Sequence, residues 1–490
     1  MHNKVQLITY VDRLTGSDLN GLTQLLSHEL DELFAGVHLL PFFYPIDGSD
    51  AGFDPINHAE VDSRLGSWQD VKQLSDHCQI MADLIVNHAS AQSPQFLDVI
   101  DNGKQSQYWP LFLKQQDVFP DGITDHQAEA IYRPRPSRCF SAKMLKSSQK
   151  INFWTTFTDN QIDINVEHPQ GQAYLEQILS LFADNGIKII RLDAAGYAIK
   201  RPDTSCFMLD ETFEFIDKLS QRANQLGMET VAEIHSHYQT QIEVAKRVHR
   251  VYDFALPPLV LHALLANDFD ALIAWLKIAP RNCLTVLDTH DGIGIIDAGP
   301  QGDKPGLLNE EQINQLVESI HHNSGGQSRL ATGSAANNLD LYQVNCSYYD
   351  ALASNDFHYL VARAIQFFSP GVPQVYYAGL LAMHNDIDLL AQTQEGRDIN
   401  RPYLDQDKIH QQLALPVVKG LIELIKLRNT HPAFNGQFHL AGTQQQLELS
   451  WRDNHNQIEL TVDLANQSAV IRHALDGKRQ EIDLKHLLND

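Results

Sequence analysis

The sequence predicts an α/β protein built on a (β/α)8 barrel, and three observations carry that prediction. Short apolar runs alternate with amphipathic stretches through most of the 490 residues. The runs are apolar throughout rather than in alternation, as in parallel strands covered on both faces. They form eight strand–helix units, the number that closes a barrel. A doubly wound open sheet is the alternative. It calls for a Gly-rich phosphate turn after the first strand, and Tyr10-Val11-Asp12-Arg13 offers none.

Taken in order, the strands fall at 5–10, 36–43, 80–87, 187–193, 229–235, 251–256, 283–288 and 372–377. Helical stretches lie between them at 17–30, 67–77, 172–184, 211–226, 239–248, 259–276 and 356–368. Two intervals are too long for simple loops. Residues 88–167 follow strand three and are rich in Pro, Gln and aromatic residues, and residues 293–353 follow strand seven and are rich in Gly, Asn and Ser. Both insertions leave the C-terminal ends of strands, where barrels build their sites. After about residue 434 the period changes to two, as in Leu447-Glu448-Leu449-Ser450-Trp451, with turn signals at Asp453-Asn454 and Asp476-Gly477. That pattern predicts a small antiparallel β domain. The expected organisation is a catalytic barrel from 1–87, 168–292 and 354–433, inserted domains at 88–167 and 293–353, and a C-terminal β domain at 434–490.

Composition excludes several function classes. A formal charge of −24 argues against nucleic acid or an anionic membrane surface as partner. No run approaches the ~18 apolar residues of a membrane span. The first residues carry no long apolar leader segment. Cys78, Cys139, Cys206, Cys283 and Cys346 are odd in number and contain no C-x-x-C pair, so they read as free thiols of a reducing, cytoplasmic compartment. The sequence leaves monomer and homodimer both open.

The chemistry sits at strand ends. Strand four closes on Arg191-Leu192-Asp193, and alternation sends Arg191 and Asp193 to one face. A carboxylate beside a guanidinium stays ionised and can act as a nucleophile. Alone, an Asp after a strand reads as a helix cap. Strand five, however, ends on Glu233-Ile234-His235, strand seven on Thr289-His290-Asp291, and strand three on Asn87-His88. Two carboxylates on adjacent strands, roughly 5–5.5 Å apart, suit a retaining glycosidic mechanism. A metal is the competing use. Glu233, His235 and His237 could offer ligands, but there is no His-Glu-x-x-His and carboxylates outnumber histidines at these ends. No metal and no cofactor is expected.

The segments 83–88, 191–197, 232–235 and 289–292 resemble the four signature regions of the α-amylase clan, glycoside hydrolase family 13. Residues 161–165 resemble its fifth, and 48–55 its loop after strand two. The resemblance implies that Asp193 forms a covalent glucosyl-enzyme, that Glu233 is acid/base, and that Asp291 stabilises the transition state. It further implies that Arg191, His88 and His290 orient the nucleophile and the sugar.

The chain departs from starch-degrading members at Gly196-Tyr197, where they carry Lys-His, and at Gly292, which follows Asp291 in place of Asn. Residues 132–136, 338–345 and 396–401 resemble the sucrose phosphorylases of that clan, which pass glucose from sucrose to inorganic phosphate, giving α-glucose 1-phosphate and fructose. A phosphate dianion entering a mouth of carboxylates needs a local cation, and guanidinium suits a bidentate grip. Arg135, between two prolines, is the candidate, with the Tyr342 hydroxyl as second donor. The same resemblance implies that Asp50 and Arg397 grip distal glucose hydroxyls and that Phe53, Phe157 and Tyr197 line the pocket. Asp340, Gln343, Ile234 and His235 are expected to face the acceptor. Related phosphorylases of sucrose 6′-phosphate, glucosylglycerol or glucosylglycerate, and a sucrose hydrolase, are the alternatives. A structural calcium is left open.

Overall fold

The computed structural model describes residues 1–47, 51–133, 138–332, 343–475 and 477–489. Its centre is a closed parallel barrel of β1 (Gln6–Thr9), β2 (Gly36–Leu39), β3 (Gln79–Ile85), β4 (Ile187–Asp193), β5 (Glu229–Ala232), β6 (Arg250–Asp253), β7 (Cys283–Thr285) and β8 (Val372–Tyr376). The strand order runs β1-β2-β3-β4-β5-β6-β7-β8 and returns to β1. Each strand stands at the position that the apolar runs predicted. Burial on both faces explains the unbroken apolar pattern: Leu7, Val37, Ile190, Val231, Leu284 and Val375 are all within 1% of full burial. Each such side chain stabilises the fold by about 1.5–3 kcal/mol.

Register places the site. Arg191 stands opposite Asp83 of β3, Asp193 opposite Ile85, and Leu192 opposite Ala232 of β5. The mouth therefore receives Asp193 and Glu233 side by side, one residue beyond the last paired position of β5. Four strands end three or more residues earlier than predicted, β2 among them at Leu39. β5 stops at Ala232, after which Glu233 N makes one more contact, 3.4 Å from Leu192 O. β6 stops at Asp253 because its carboxylate takes the Leu256 N–H at 3.0 Å, and a helix with Pro257 and Pro258 in its first turn begins at once. β7 stops at Thr285.

Helices ring the barrel. The predicted stretch 259–276 is two helices, Leu256–Ala266 and Asp270–Ile278, because Asn267 turns into the left-handed region at φ 55°. Helix Pro416–Thr430 lay outside the predicted elements. It carries the buried Val417, Val418, Leu421, Leu424 and Ile425 at helical spacing. Helix Asp356–Phe368, buried along most of its length, lies between the barrel and the C-terminal sheet. That sheet comprises β9 (Gln437–Thr443), β10 (Gln446–Asp453), β11 (Asn456–Asp463), β12 (Ser468–Leu475) and β13 (Lys478–Asp483), antiparallel and in sequential order. Trp451 of β10 donates its indole N–H to Phe368 O at 2.8 Å, so sheet and helix share one core.

The segment after β3 contains two small antiparallel pairs, His88–Ser90 with Gln161–Asp163 and Phe140–Met144 with Lys150–Trp154. In the segment after β7, Ile293–Gly294 pairs with Gln343–Val344. One buried cation ties the first segment to the barrel. Lys200 Nζ lies 2.8 Å from Asp163 and 3.1 Å from Asn87 Oδ1, and it also meets the Tyr197 carbonyl. The side chains of Lys200 and Asp163 are at most 3% exposed. Replacing Lys200 with Met leaves Asp163 as an uncompensated buried charge, so unfolding is expected to become easier by about 3–5 kcal/mol. Denaturant unfolding of Lys200→Met checks this; a loss under about 1 kcal/mol contradicts the tie.

Candidate active site

Arg191 is the hub of the mouth. Its Nη1 donates to Asp83 Oδ1 at 2.5 Å and to Asp193 Oδ1 at 2.9 Å, while Nη2 lies 3.3 Å from Glu233 Oε1. Alternation within β4 explains the first pairing, since Arg191 and Asp193 are two residues apart on one face. The helix-cap reading of Asp193 does not hold: Ala194 follows in the left-handed region at φ 54°, and a short 3-10 turn, Ala195–Tyr197, comes next. Asp83 is fully buried, and burial opposes its charge. His38, 2.9 Å away, and Arg191 overcome that cost and bring its carboxyl down to about 2.

Asp291 is held from the opposite side. Arg397 Nη1 stands 2.8 Å from Asp291 Oδ1, and Arg401 Nη2 is 3.9 Å away. Burial again works against the carboxylate, yet the cations around it, Arg397 first among them, hold it well below the usual range. Arg401 lies deeper, its Nε donating to His290 O at 2.7 Å, whereas Arg397 reaches the cavity and donates to Gln343 Oε1 at 3.2 Å. His290 is pushed well below its ordinary value, by burial first and by Arg191 and Arg401 as well, so it is neutral.

The cavity between these groups measures about 340 Å³. Aromatic rings form one wall. Phe53 stacks on His290 at 5.0 Å, and Phe157 meets Tyr197 edge-on at 5.2 Å. His88 accompanies them, with Nε2 3.1 Å from Phe53 O and 3.1 Å from Gln161 Nε2. Gly196 has a steric cause: a Cβ there would lie 2.9 Å from the Phe207 ring and 3.1 Å from Met208 Sδ. The departure from Lys-His lets Phe207 close against Tyr197, at 4.8 Å between centroids. An apolar wall with a few convergent polar groups is the usual make-up of a small-molecule site.

Glu233, His235 and Asp291 bring one ligand atom each within 4.8 Å of one another, a set that could hold a metal. Two members are already paired within the protein: His235 Nδ1 lies 3.1 Å from Asp297 Oδ2, and Asp291 Oδ1 lies 2.8 Å from Arg397 Nη1. Burial disfavours a charged His235, but Asp297, Glu233 and Asp291 outweigh burial and push it up to about 9. His237 is not part of the set, because its Nε2 donates to Pro305 O at 3.0 Å and its Nδ1 accepts from Gln239 N at 3.3 Å.

Every predicted site residue within the described part of the chain lines this cavity: Asp193, Glu233, Asp291, Phe53, His88, Arg191, Tyr197, Ile234, His235, His290, Arg397, Phe157 and Gln343. Asp50, Arg135, Asp340 and Tyr342 lie outside the described residues. Reasoning from sequence missed Asp83 as a partner of Arg191, and it missed Asp297, Phe207 and Gln301. Asp83 stood in a quoted motif, and only the β3–β4 register turns it into a contact. The others come from loops, where no period marks an inward side chain.

The family described as alpha amylase, catalytic domain, matches residues 9–254. A sucrose phosphorylase of Agrobacterium vitis is 55% identical over 473 residues, covering 96% of this chain and 97% of that protein. A sucrose phosphorylase of Bifidobacterium adolescentis is 49% identical over 465 residues, covering 94% and 92%. The crystal structure of sucrose 6F-phosphate phosphorylase from Thermoanaerobacter thermosaccharolyticum superposes with a TM-score of 0.90 at 34% identity, covering 99% of this chain and 98% of that one.

The buried groups set a pH dependence of stability. Burial holds His290 well below its ordinary 6.5 and brings His58 to about 4, so at these sites the unfolded chain binds more protons below pH 6.5 and stability falls, with Asp253, raised by burial to about 7, offsetting one of them. The Asp83 contribution is present above its ordinary 3.8 and is lost as pH falls through about 2. His235 adds stability that is full below 6.5 and disappears as pH rises through about 9. Denaturant unfolding at a series of pH values is expected to show highest stability near neutrality and a decline beginning below 6.5. A flat profile from 6.5 down to 4 contradicts the assignment of neutral buried histidines.

Proposed function

The chain belongs to the α-amylase family, and from that premise we propose that it is a retaining α-glucosyl phosphorylase. It cleaves sucrose with inorganic phosphate, giving α-D-glucose 1-phosphate and D-fructose. The single observation that carries the mechanism is the Arg191 guanidinium shared between Asp193 and Glu233. One cation stands beside both carboxylates and gathers them at one mouth, as a nucleophile and an acid/base that act on one sugar carbon require.

In the first step the Asp193 carboxylate attacks the anomeric carbon. The bond from that carbon to the fructose oxygen breaks, and Glu233 gives its proton to the departing oxygen. A glucosyl ester on Asp193 results, with inverted configuration. In the second step a phosphate oxygen attacks the same carbon, the ester bond breaks, and Asp193 leaves as carboxylate. Glu233 takes back a proton from the phosphate, and the two inversions give net retention. Asp291, held ionised by Arg397, faces the positive charge that develops on the sugar ring. Phe53, Phe157 and Tyr197 offer flat apolar surfaces to the sugar, while His88 and His290 are suited to its hydroxyls. Gln343, Ile234 and His235 would meet fructose or phosphate, with Arg135, Asp340 and Tyr342 completing that side and Asp50 the distal one.

The 55% and 49% identities to sucrose phosphorylases favour sucrose over the related α-glucosides. The barrel of 1–87, 168–292 and 354–433 would carry the chemistry, the insertions at 88–167 and 293–353 its loops, and 434–490 a supporting β domain. A cytoplasmic location suits such an activity. Among the described residues no helix is long and apolar enough to cross a membrane.

Incubation with phosphate and, in turn, sucrose, sucrose 6′-phosphate, glucosylglycerol and glucosylglycerate, followed by assay of glucose 1-phosphate, tests the proposal. Sucrose is expected to give the highest kcat/KM. A preference for another donor moves the assignment to that α-glucoside. Glucose release from sucrose that is rapid and indifferent to phosphate contradicts a phosphorylase. The Asp193→Asn variant is expected to lose about six orders of magnitude in kcat, as removal of a covalent nucleophile does; retained turnover refutes the double displacement.

A further inference from the structure

His235 is the ionisable side chain on the proposed acceptor side of the described cavity, and its setting is built rather than incidental. Its ring stacks on Phe254 with centroids 3.8 Å apart and planes 15° apart. Nδ1 lies 3.1 Å from Asp297 Oδ2, while Nε2 is 3.7 Å from Glu233 Oε1 and, among the described residues, is a buried atom without a hydrogen-bond partner in a ring that lines the cavity. Asp297 is 0% exposed and belongs to a short 3-10 turn, Ile296–Ala298, from the insertion after β7. Its other oxygen accepts from Ser236 N at 2.9 Å and from Gln241 Nε2 at 3.1 Å. The position before this turn is cleared for the pair, since a Cβ on Gly294 would lie 2.4 Å from Asp297 Oδ2 and 3.4 Å from His235 Nδ1.

A carboxylate with three donors aimed at it, sealed from water behind a histidine, serves to fix that histidine. We infer that Asp297 is the positioning residue of the acceptor side: it holds His235 so that Nε2–H points into the cavity as a cationic donor to the incoming phosphate. The inference rests on the phosphorylase reading above. It supplies a local cation where Glu233, Asp193 and Asp291 alone would repel an anion. Burial opposes the charge on His235, but Asp297, Glu233 and Asp291 outweigh it and raise the imidazole to about 9, in agreement with that role. The charged groups facing His235 are Glu233 on its own loop, Asp291 beyond β7, Asp297 behind it, and Arg191 and Arg397 across the cavity.

The test separates transfer to phosphate from formation of the glucosyl-enzyme. An activated α-glucosyl fluoride, whose leaving group needs no acid, is used as donor with and without phosphate. Asp297→Asn keeps the shape and removes the charge. It is expected to lower kcat/KM for phosphate at least tenfold while hydrolysis without phosphate stays within twofold. An alkaline limb near 9 is expected in the phosphate profile of the parent enzyme; in Asp297→Asn it is expected to move toward the ordinary 6.5 of histidine, and in His235→Gln to vanish.

Unchanged phosphate kinetics and an unchanged limb overturn the inference. An equal fall in phosphate transfer and in hydrolysis also overturns it, since that is the mark of a merely structural residue. If Asp297→Asn does not fold, the parent profile and Gly294→Ala decide. A limb near 9 that shifts down in Gly294→Ala supports the inference, and a flat profile through 9 overturns it. Parent enzyme that transfers no glucose to phosphate refutes the phosphorylase reading itself, a different result from any of these.

Discussion

One guanidinium organises the mouth of this barrel. Arg191 sits at 3% exposure between Asp83, Asp193 and Glu233, and each of those carboxylates depends on it for a counter-charge. Ionised groups taken out of water are costly unless they are paired and hydrogen-bonded. Arg191 is itself anchored from below, because Asp83 is gripped by His38 and sits opposite it in the β3–β4 register. The ladder of the barrel therefore aims the guanidinium, and the guanidinium aims the two carboxylates. A second cation, Arg397, does the same for Asp291. The acidity of the chain, −24 overall, is thus answered locally rather than globally.

The loops complete what the strands begin. The inserted segment after β3 returns Gln161–Asp163 to His88–Ser90 as a paired strand and brings Phe157 against Tyr197, and Lys200 ties that segment to the ends of β3 and β4. The segment after β7 brings Asp297 behind His235 and Gln343 beside Gly292. The end of β4 carries Asp193 and the residue just beyond β5 is Glu233, the groups proposed for bond making and breaking, while the longer loops bring up groups proposed to meet the acceptor. Such a division lets one barrel serve several acceptors through loop changes.

The barrel was legible because parallel strands buried on both faces write themselves as unbroken apolar runs. Helix Pro416–Thr430 was not, since it follows a long stretch of short helical turns after β8 that breaks the strand–helix rhythm. Asp193, Glu233 and Asp291 were legible as ends of runs, and the family resemblance supplied roles for their neighbours. Asp83 shows the limit of one-dimensional reading, because its partnership with Arg191 exists only across a register of two strands 108 residues apart in sequence. Asp297 shows another. A lone Asp in a Gly-rich loop carries no period, and only folding reveals that it has three donors and no solvent.

The account rests on Asp193 as the atom-bearing partner of the sugar, so the most direct measurement is the covalent species itself. Enzyme mixed with an activated α-glucosyl donor in the absence of phosphate, quenched rapidly in acid and digested, is examined by mass spectrometry. The account predicts one added glucosyl residue on the peptide that contains Asp193, discharged as glucose 1-phosphate when phosphate is supplied before the quench. A glucosyl residue on Glu233 or Asp291, or rapid turnover of the donor with no covalent species at any quench time, contradicts it.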